Sequence, residues 1–178
     1  AFFDAPKKTA AEAVKKLKAL NVGIRVLTGD QKNTAVSICG RLGIDVGQVL
    51  TGRELDALAE ERRQVEIENT TVFAELTPRQ KLAVVQALQS NGHTVGFLGD
   101  GMNDLPAMTE SDVGISVDTA AEAVRECADV ILLKKDLNVL EEGIIEGRKA
   151  FSNMSKYIKI TASSNFGNIF SIVIASVF

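Results

Sequence analysis

Residues 71–92, TVFAELTPRQKLAVVQALQSNG, decide the fold, because their pattern changes once, at Thr77-Pro78. Thr71 to Glu75 reads as a strand, Thr77 as a helix N-cap and Pro78 as the first helical residue. Asn91-Gly92 is the stop. Working outward, TVGFLGDG (94–101), DVGISV (112–117) and ADVILL (128–133) read as further strands with helices between them. Upstream, TAAEAVKKLKAL (9–20) reads as a helix. Thr9 and Glu12 stand at capping-box spacing, and Ala10, Ala13, Val14, Leu17 and Leu20 share a face. GIRVLTGD (23–30) gives a short buried strand over 24–27, then a turn. NTAVSICGRLG (33–43) is helical, with Ala35, Ile38 and Leu42 inward and Gly43 as the stop. Arg53 to Glu68 reads as one charged, mostly solvated helix. Strands alternating with helices predict an α/β fold, a parallel sheet covered by helices on both faces. Sites in such sheets lie beyond the carboxyl ends of the strands.

With 178 residues the chain suits one domain and an appendage. Twenty basic against 23 acidic residues give a net charge of −3, which argues against nucleic acid as a partner. Cys39 and Cys127 have no metal-ligand spacing and read as two buried thiols. The opening AFFDAPKK carries no initiator Met and reads as a cut from a longer chain.

The ending differs from the rest. No Asp, Glu, Lys or Arg occurs from Ile160 to Phe178, and Arg148, Lys149, Lys156 and Lys159 stand on one side. Such a stretch reaches roughly 28 Å as a helix, close to the ~30 Å hydrocarbon core, and the basic flank marks the cytoplasmic side. Thr161, Ser163, Ser164, Asn165, Asn168 and Ser171 crowd its first half, which suits a helix inside a bundle better than a lone anchor. The competing reading is a buried amphipathic helix.

Three stretches carry chemistry-bearing residues. Thr28-Gly29-Asp30 places a hydroxyl and a glycine amide at a strand end, where both can donate to a phosphoryl oxygen, though Thr-Gly-Asp is also an ordinary turn. Lys81, one turn into the helix opened by Thr77, can neutralise a phosphate, or simply be solvated. GDGMND (99–104) is the most specific. Asp100 lies between glycines as a hard ligand for Mg²⁺, Asn103 can donate to a phosphoryl oxygen, and Asp104 can orient Lys81 or a metal-bound water. His93 reads as a solvated loop residue.

Thr28, Lys81 and Asp100 with Asp104, in that order and each at a strand end or the helix start after one, resemble the last three motifs of the haloacid dehalogenase superfamily. More narrowly, VLTGD, TPRQK and GDGMNDLPAM resemble the phosphorylation domain of P-type cation-transporting ATPases. CADVILLKKDLNVLEEGIIEGRKAF resembles the run into the stalk helix. NMSKYIKITASSNFGNIFSIVIASVF resembles the fifth transmembrane helix of the bacterial magnesium-transporting branch. The resemblance implies a haloacid dehalogenase-type Rossmann-like sheet, with residues 1–147 the later part of the phosphorylation domain and 148–178 a stalk and the start of a membrane helix. It implies a multi-pass protein of a bacterial inner membrane, with residues 1–150 cytoplasmic. The implied partners are ATP, a transported cation (Mg²⁺), the lipid membrane and the rest of the parent chain.

The family's nucleophile is the Asp of an Asp-Lys-Thr-Gly-Thr motif, and this string does not occur here. The resemblance therefore implies that the nucleophile and the nucleotide-binding domain lie upstream. It makes Thr28, Gly29 and Asn103 ligands of phosphoryl oxygens, Lys81 the neutralising cation and Asp104 its orienter. Asp100, with Asp104, holds Mg²⁺, and Asp30 orders its loop or meets the nucleotide phosphates. Asn165 and Asn168 stand either on the ion path or as packing residues. Asp4-Ala5-Pro6-Lys7 departs from the family's paired prolines, which leaves Asp4 without an assigned role. Two rivals are a soluble phosphatase of the same superfamily using Asp4 as nucleophile, and a non-catalytic binding module. Without G-x-G-x-x-G after a strand, the dinucleotide version of the second is disfavoured.

Overall fold

The computed structural model describes residues 8–134 and 136–177, so Asp4 and the segment around it lie outside the described residues. The chain divides into two units, Ala1–Val139 and Leu140–Phe178.

The first unit alternates as expected, with all its strand pairs parallel. Helix α1 (Lys8–Ala19) precedes β1 (Val26–Leu27), α2 (Lys32–Arg41) and β2 (Gln48–Thr51). Helices α3 (Gly52–Ala57) and α4 (Glu60–Asn69) lead to β3 (Thr70–Ala74) and α5 (Pro78–Ser90). Then come β4 (Gly96–Leu98), a 3₁₀ turn at Met102–Asp104, α6 (Leu105–Glu110), β5 (Val113–Val117), α7 (Glu122–Glu126) and β6 (Val130–Leu132). The strands form two three-stranded sheets, ordered β1-β3-β2 and β4-β5-β6, where a single sheet was expected.

Strand β3 shows why the first sheet is stable. Its side chains alternate faces. Val72 and Ala74 join Val14 of α1 and Ala35 and Cys39 of α2, while Phe73 joins Leu55, Ile67, Val84 and Leu88 from α3, α4 and α5. Phe73, Val72 and Val84 are fully buried. Each such side chain contributes about 1.5–3 kcal/mol. Helix α5 bridges the sheets, because Val84 faces the core of the first and Val85 that of the second, with Phe97, Met108 and Val124.

The second sheet departs from the two-face expectation. Leu98, Ile115 and Val130 are register neighbours and so share a face. On it Leu98 and Val130 are exposed. Strands β1 and β4 are each an outer strand of their sheet. Leu27 of β1 packs against both the Phe73 and the Phe97 clusters.

Other differences have local causes. Strand β1 covers two residues and is half-buried, because only β3 pairs with it. The solvated helix expected over Arg53–Glu68 is two helices with a break at Leu58-Ala59, and Leu55 and Ile67 anchor them in the core. Thr9 lies inside α1 rather than capping it. Cys39 is buried as expected, and desolvation raises its thiol pKa, but Cys127 caps α7 and is exposed.

Residues 140–177 of the second unit belong to helix α8 (Leu137–Val177), 41 residues long. Its apolar side chains, Phe166, Ile169, Phe170 and Ile172 among them, are exposed, as are Asn165 and Asn168. The expected long helix is there. Among the described residues, however, no helix is long and apolar enough to cross a membrane. The polar run from Thr161 to Ser171 and the lysines before it lower the apolar content of the stretch, and Phe178 lies outside the described part.

Candidate functional site

In chain order the expected residues follow strand ends: Thr28 to Asp30 come after β1, Lys81 lies in the first turn of α5 after β3, and Asp100, Asn103 and Asp104 lie in the turn after β4. Strand β1 ends at Leu27, and its ladder with β3 continues into the turn. Thr28 N–H donates to the Phe73 carbonyl at 2.9 Å, Leu76 N–H to the Thr28 carbonyl at 3.0 Å, and Glu75 N–H to the Asp30 carbonyl at 2.9 Å. Thr28 Oγ1 accepts from Asp30 N–H at 3.1 Å, which closes the Thr-Gly-Asp turn on itself and leaves Gly29 and Asp30 exposed. To reach Asp30, Glu75 adopts φ +55, in the left-handed region that costs a side chain about 1–2 kcal/mol. A non-glycine residue held there is over-determined by its neighbours.

Three residues later the chain enters α5. Thr77 Oγ1 accepts from Gln80 N–H at 3.3 Å, and Gln80 Oε1 accepts from Thr77 N–H at 2.8 Å, a reciprocal cap. Lys81 follows in the first turn and is buried, not solvated. Its ammonium donates to Asp104 Oδ1 at 2.6 Å, with side chains 10% and 18% exposed. A charge this sheltered from water needs a partner close by, and Asp104 provides it.

Asp104 is held by the turn after β4. Gly99 N–H donates to the Ile115 carbonyl at 3.1 Å, and Asp104 N–H to the Gly101 carbonyl at 2.9 Å. Gly99 must lack a side chain, since a Cβ there would stand 2.7 Å from Asp104 Cβ. Asp100 and Asn103 flank this packed turn on its exposed side. Among the described residues no three His, Cys, Asp or Glu side chains gather as a metal cage. Mg²⁺ does not require one, since it takes one or two carboxylates and completes its shell with water and phosphate oxygens. Asp100 has the right chemistry for that. Asp104 is the poorer ligand of the two, because its Oδ1 already carries the Lys81 ammonium.

The structure therefore joins Lys81 to Asp104, and ties Thr28 through Leu76 to the segment that opens the Lys81 helix. Asn165 and Asn168 belong to the other unit. His93, beyond the far end of α5 from Lys81, meets the Glu68 carboxylate at 2.8 Å and has no part in this cluster. Sequence reasoning passed over Gln80 and Glu75. The Thr-x-x-Gln spacing announces the first; nothing local announces the second.

A family model described as haloacid dehalogenase-like hydrolase matches residues 1–112. Among curated proteins the chain is 52% identical over 177 residues to a magnesium-transporting ATPase, P-type 1, of Salmonella typhimurium, covering 99% of this chain and 20% of that protein. The Escherichia coli K12 protein of the same name is 51% identical over 178 residues, 100% of this chain and 20% of its own. An endoplasmic reticulum calcium ATPase, srcA, of Aspergillus fumigatus is 35% identical over 97% of this chain and 18% of its own. The chain thus spans about a fifth of the length of the magnesium-transporting relatives. Among solved structures, the catalytic domain of the CPx-ATPase CopB-B aligns with a TM-score of 0.58 at 23% identity, over 75% of this chain and 44% of that one, a likeness of fold.

Proposed function

Because the chain belongs to the haloacid dehalogenase-like hydrolase family, we propose that it supplies the later half of the phosphorylation domain of a cation-transporting P-type ATPase, moving Mg²⁺. The observation that carries this is the sheltered Lys81–Asp104 pair, which joins the helix start after β3 to the Asp100 turn after β4, with the Thr28 turn hydrogen-bonded to Leu76 just before that helix. A chain only a fifth as long as its magnesium-transporting relatives leaves room in a parent for the nucleophile and the nucleotide site. Strands β1 and β4 are edge strands of separate sheets and each has an edge free to pair with one more parallel strand, which in this reading ends in the nucleophilic Asp.

Phosphoryl transfer asks a protein mainly for positioning and charge stabilisation. Thr28 and the Gly29 amide bind phosphoryl oxygens at one side of the nucleophile, and Asn103 does so at the other. Lys81 neutralises the phosphorylated Asp, and Asp104 keeps the ammonium aimed. Asp30 orders the turn. Asp100 would hold the Mg²⁺, which would supply charge neutralisation for the phosphoryl group. Helix α8 is the link to the membrane; its exposed apolar side chains need lipid or neighbouring helices, with Asn165 and Asn168 on the ion path. A bacterial inner membrane follows as the location, with the first unit cytoplasmic.

The test is binding of phosphate mimics. By itself the chain should neither hydrolyse ATP nor bind orthovanadate in a Mg²⁺-dependent way, and supplying the upstream Asp-bearing segment should create that binding. Steady ATP turnover by residues 1–178 alone, lost on Asp100→Asn, would overturn the reading.

A further inference from the structure

We infer that Gln80 is a positioning residue that sets the reach of Lys81 by fastening the first turn of α5 to α3, an inference that rests on the phosphoryl-site reading above. Its amide is fully used. Oε1 accepts from Thr77 N–H at 2.8 Å and from the Thr77 hydroxyl at 3.0 Å. Nε2 donates to the Gly52 carbonyl at 3.0 Å and to Asp56 Oδ2 at 2.7 Å. Capping alone needs only the oxygen, and a glutamate would provide it as well. The two donated bonds are what the amide adds, and both go to α3.

Gly52 makes the approach feasible. A Cβ there would stand 2.6 Å from Gln80 Oε1 and 2.7 Å from the Glu75 carbonyl. Thus α3 presses on both sides of the Glu75–Gln80 segment. That segment also carries the Leu76 N–H bond to Thr28 and the Glu75 N–H bond to Asp30. The clasp therefore lies between the turn that would hold phosphate and the lysine that would neutralise it. A displacement of about 1 Å in such a group costs up to ~100-fold in rate.

The experiment uses the full-length parent and the affinity of its phosphorylation site for inorganic phosphate. Gln80→Glu keeps the cap, removes both donated bonds and sets a carboxylate against Asp56. It should weaken phosphate binding about tenfold, within the range a sub-ångström displacement gives. Gln80→Glu with Asp56→Asn restores the bond at position 56 with donor and acceptor exchanged, though not the one to the Gly52 carbonyl, and should recover part of that loss. In a Lys81→Met background, which keeps the aliphatic stem, Gln80→Glu should add nothing. Wild-type affinity in Gln80→Glu, no recovery in the exchanged pair, or a full tenfold added to the Lys81→Met loss would each overturn the inference. If Lys81→Met itself leaves phosphate affinity unchanged, the phosphoryl-site reading fails instead.

Discussion

The Lys81–Asp104 and His93–Glu68 pairs are nearly equal in length, 2.6 and 2.8 Å, and stand at opposite ends of the parallel strands. At the carboxyl ends the side chains are 10% and 18% exposed; at the amino ends, 51% and 38%. Distance does not separate them, but water does. Screening leaves an exposed pair worth about 0–1 kcal/mol, whereas a sheltered one costs several kcal/mol when one partner is lost. The neighbours differ too. Glu68 also accepts from Asn91 Nδ2 at 3.0 Å, and its backbone carbonyl accepts from Arg25 at 2.9 Å, so the amino-end cluster works as a surface clasp. Asp104 sits in a turn where a side chain at Gly99 would collide with it.

The largest expected effect in stability comes from breaking the sheltered pair. Lys81→Ala should lower the urea-unfolding free energy of the 178-residue chain by about 3 kcal/mol, since it strands the Asp104 carboxylate. A loss under about 1 kcal/mol would put the two pairs on the same footing. Next comes Gly52→Ala, which pushes α3 off the carboxyl-end cluster and should cost about 1–3 kcal/mol by overpacking, read in the same unfolding series. Smaller still is the pH response of the amino-end pair. The hydrogen bond from Asn91, then that from His93, lowers the Glu68 pKa below its ordinary value. A depressed carboxylate stabilises the fold above its unfolded pKa, and that contribution is lost as pH falls through the folded one. Glu68→Gln should therefore flatten the acid limb of the stability–pH curve, by roughly 0.5 kcal/mol after solvent screening. His93→Ala should change stability near pH 7 least, by no more than about 0.5 kcal/mol.

What was legible in the sequence follows from how local each signal is. The β3–α5 unit is written in adjacent residues: Thr77 caps, Pro78 opens and Gly92, at φ +88, closes after Asn91. Strand β2 carries no such punctuation. Only Leu50 of its four residues is buried, and the pattern is too short to show a period. The break between α3 and α4 falls at Leu58-Ala59, with neither Gly nor Pro to mark it. In the candidate site the residue types were readable but the partners were not. Lys81 and Asp104 are 23 positions apart, and Gln80 and Asp56 are 24. Only the packing of α5 against both sheets brings them together. The exposure of Leu98 and Val130 was hidden for the converse reason: helices were expected on both faces, and nothing in a strand's own sequence shows whether a helix covers it.

The central claim is that the carboxyl-end cluster serves an aspartyl phosphate formed on an upstream part of the parent. The direct measurement is acid-stable phosphoenzyme formed from ATP by the full-length parent, comparing Asp100→Asn with His93→Ala. The account predicts a loss of about 100-fold or more for Asp100→Asn, in line with removal of a main source of transition-state charge stabilisation, and near-normal phosphoenzyme for His93→Ala. Equal losses in the two variants, or undiminished phosphoenzyme in Asp100→Asn, would contradict it.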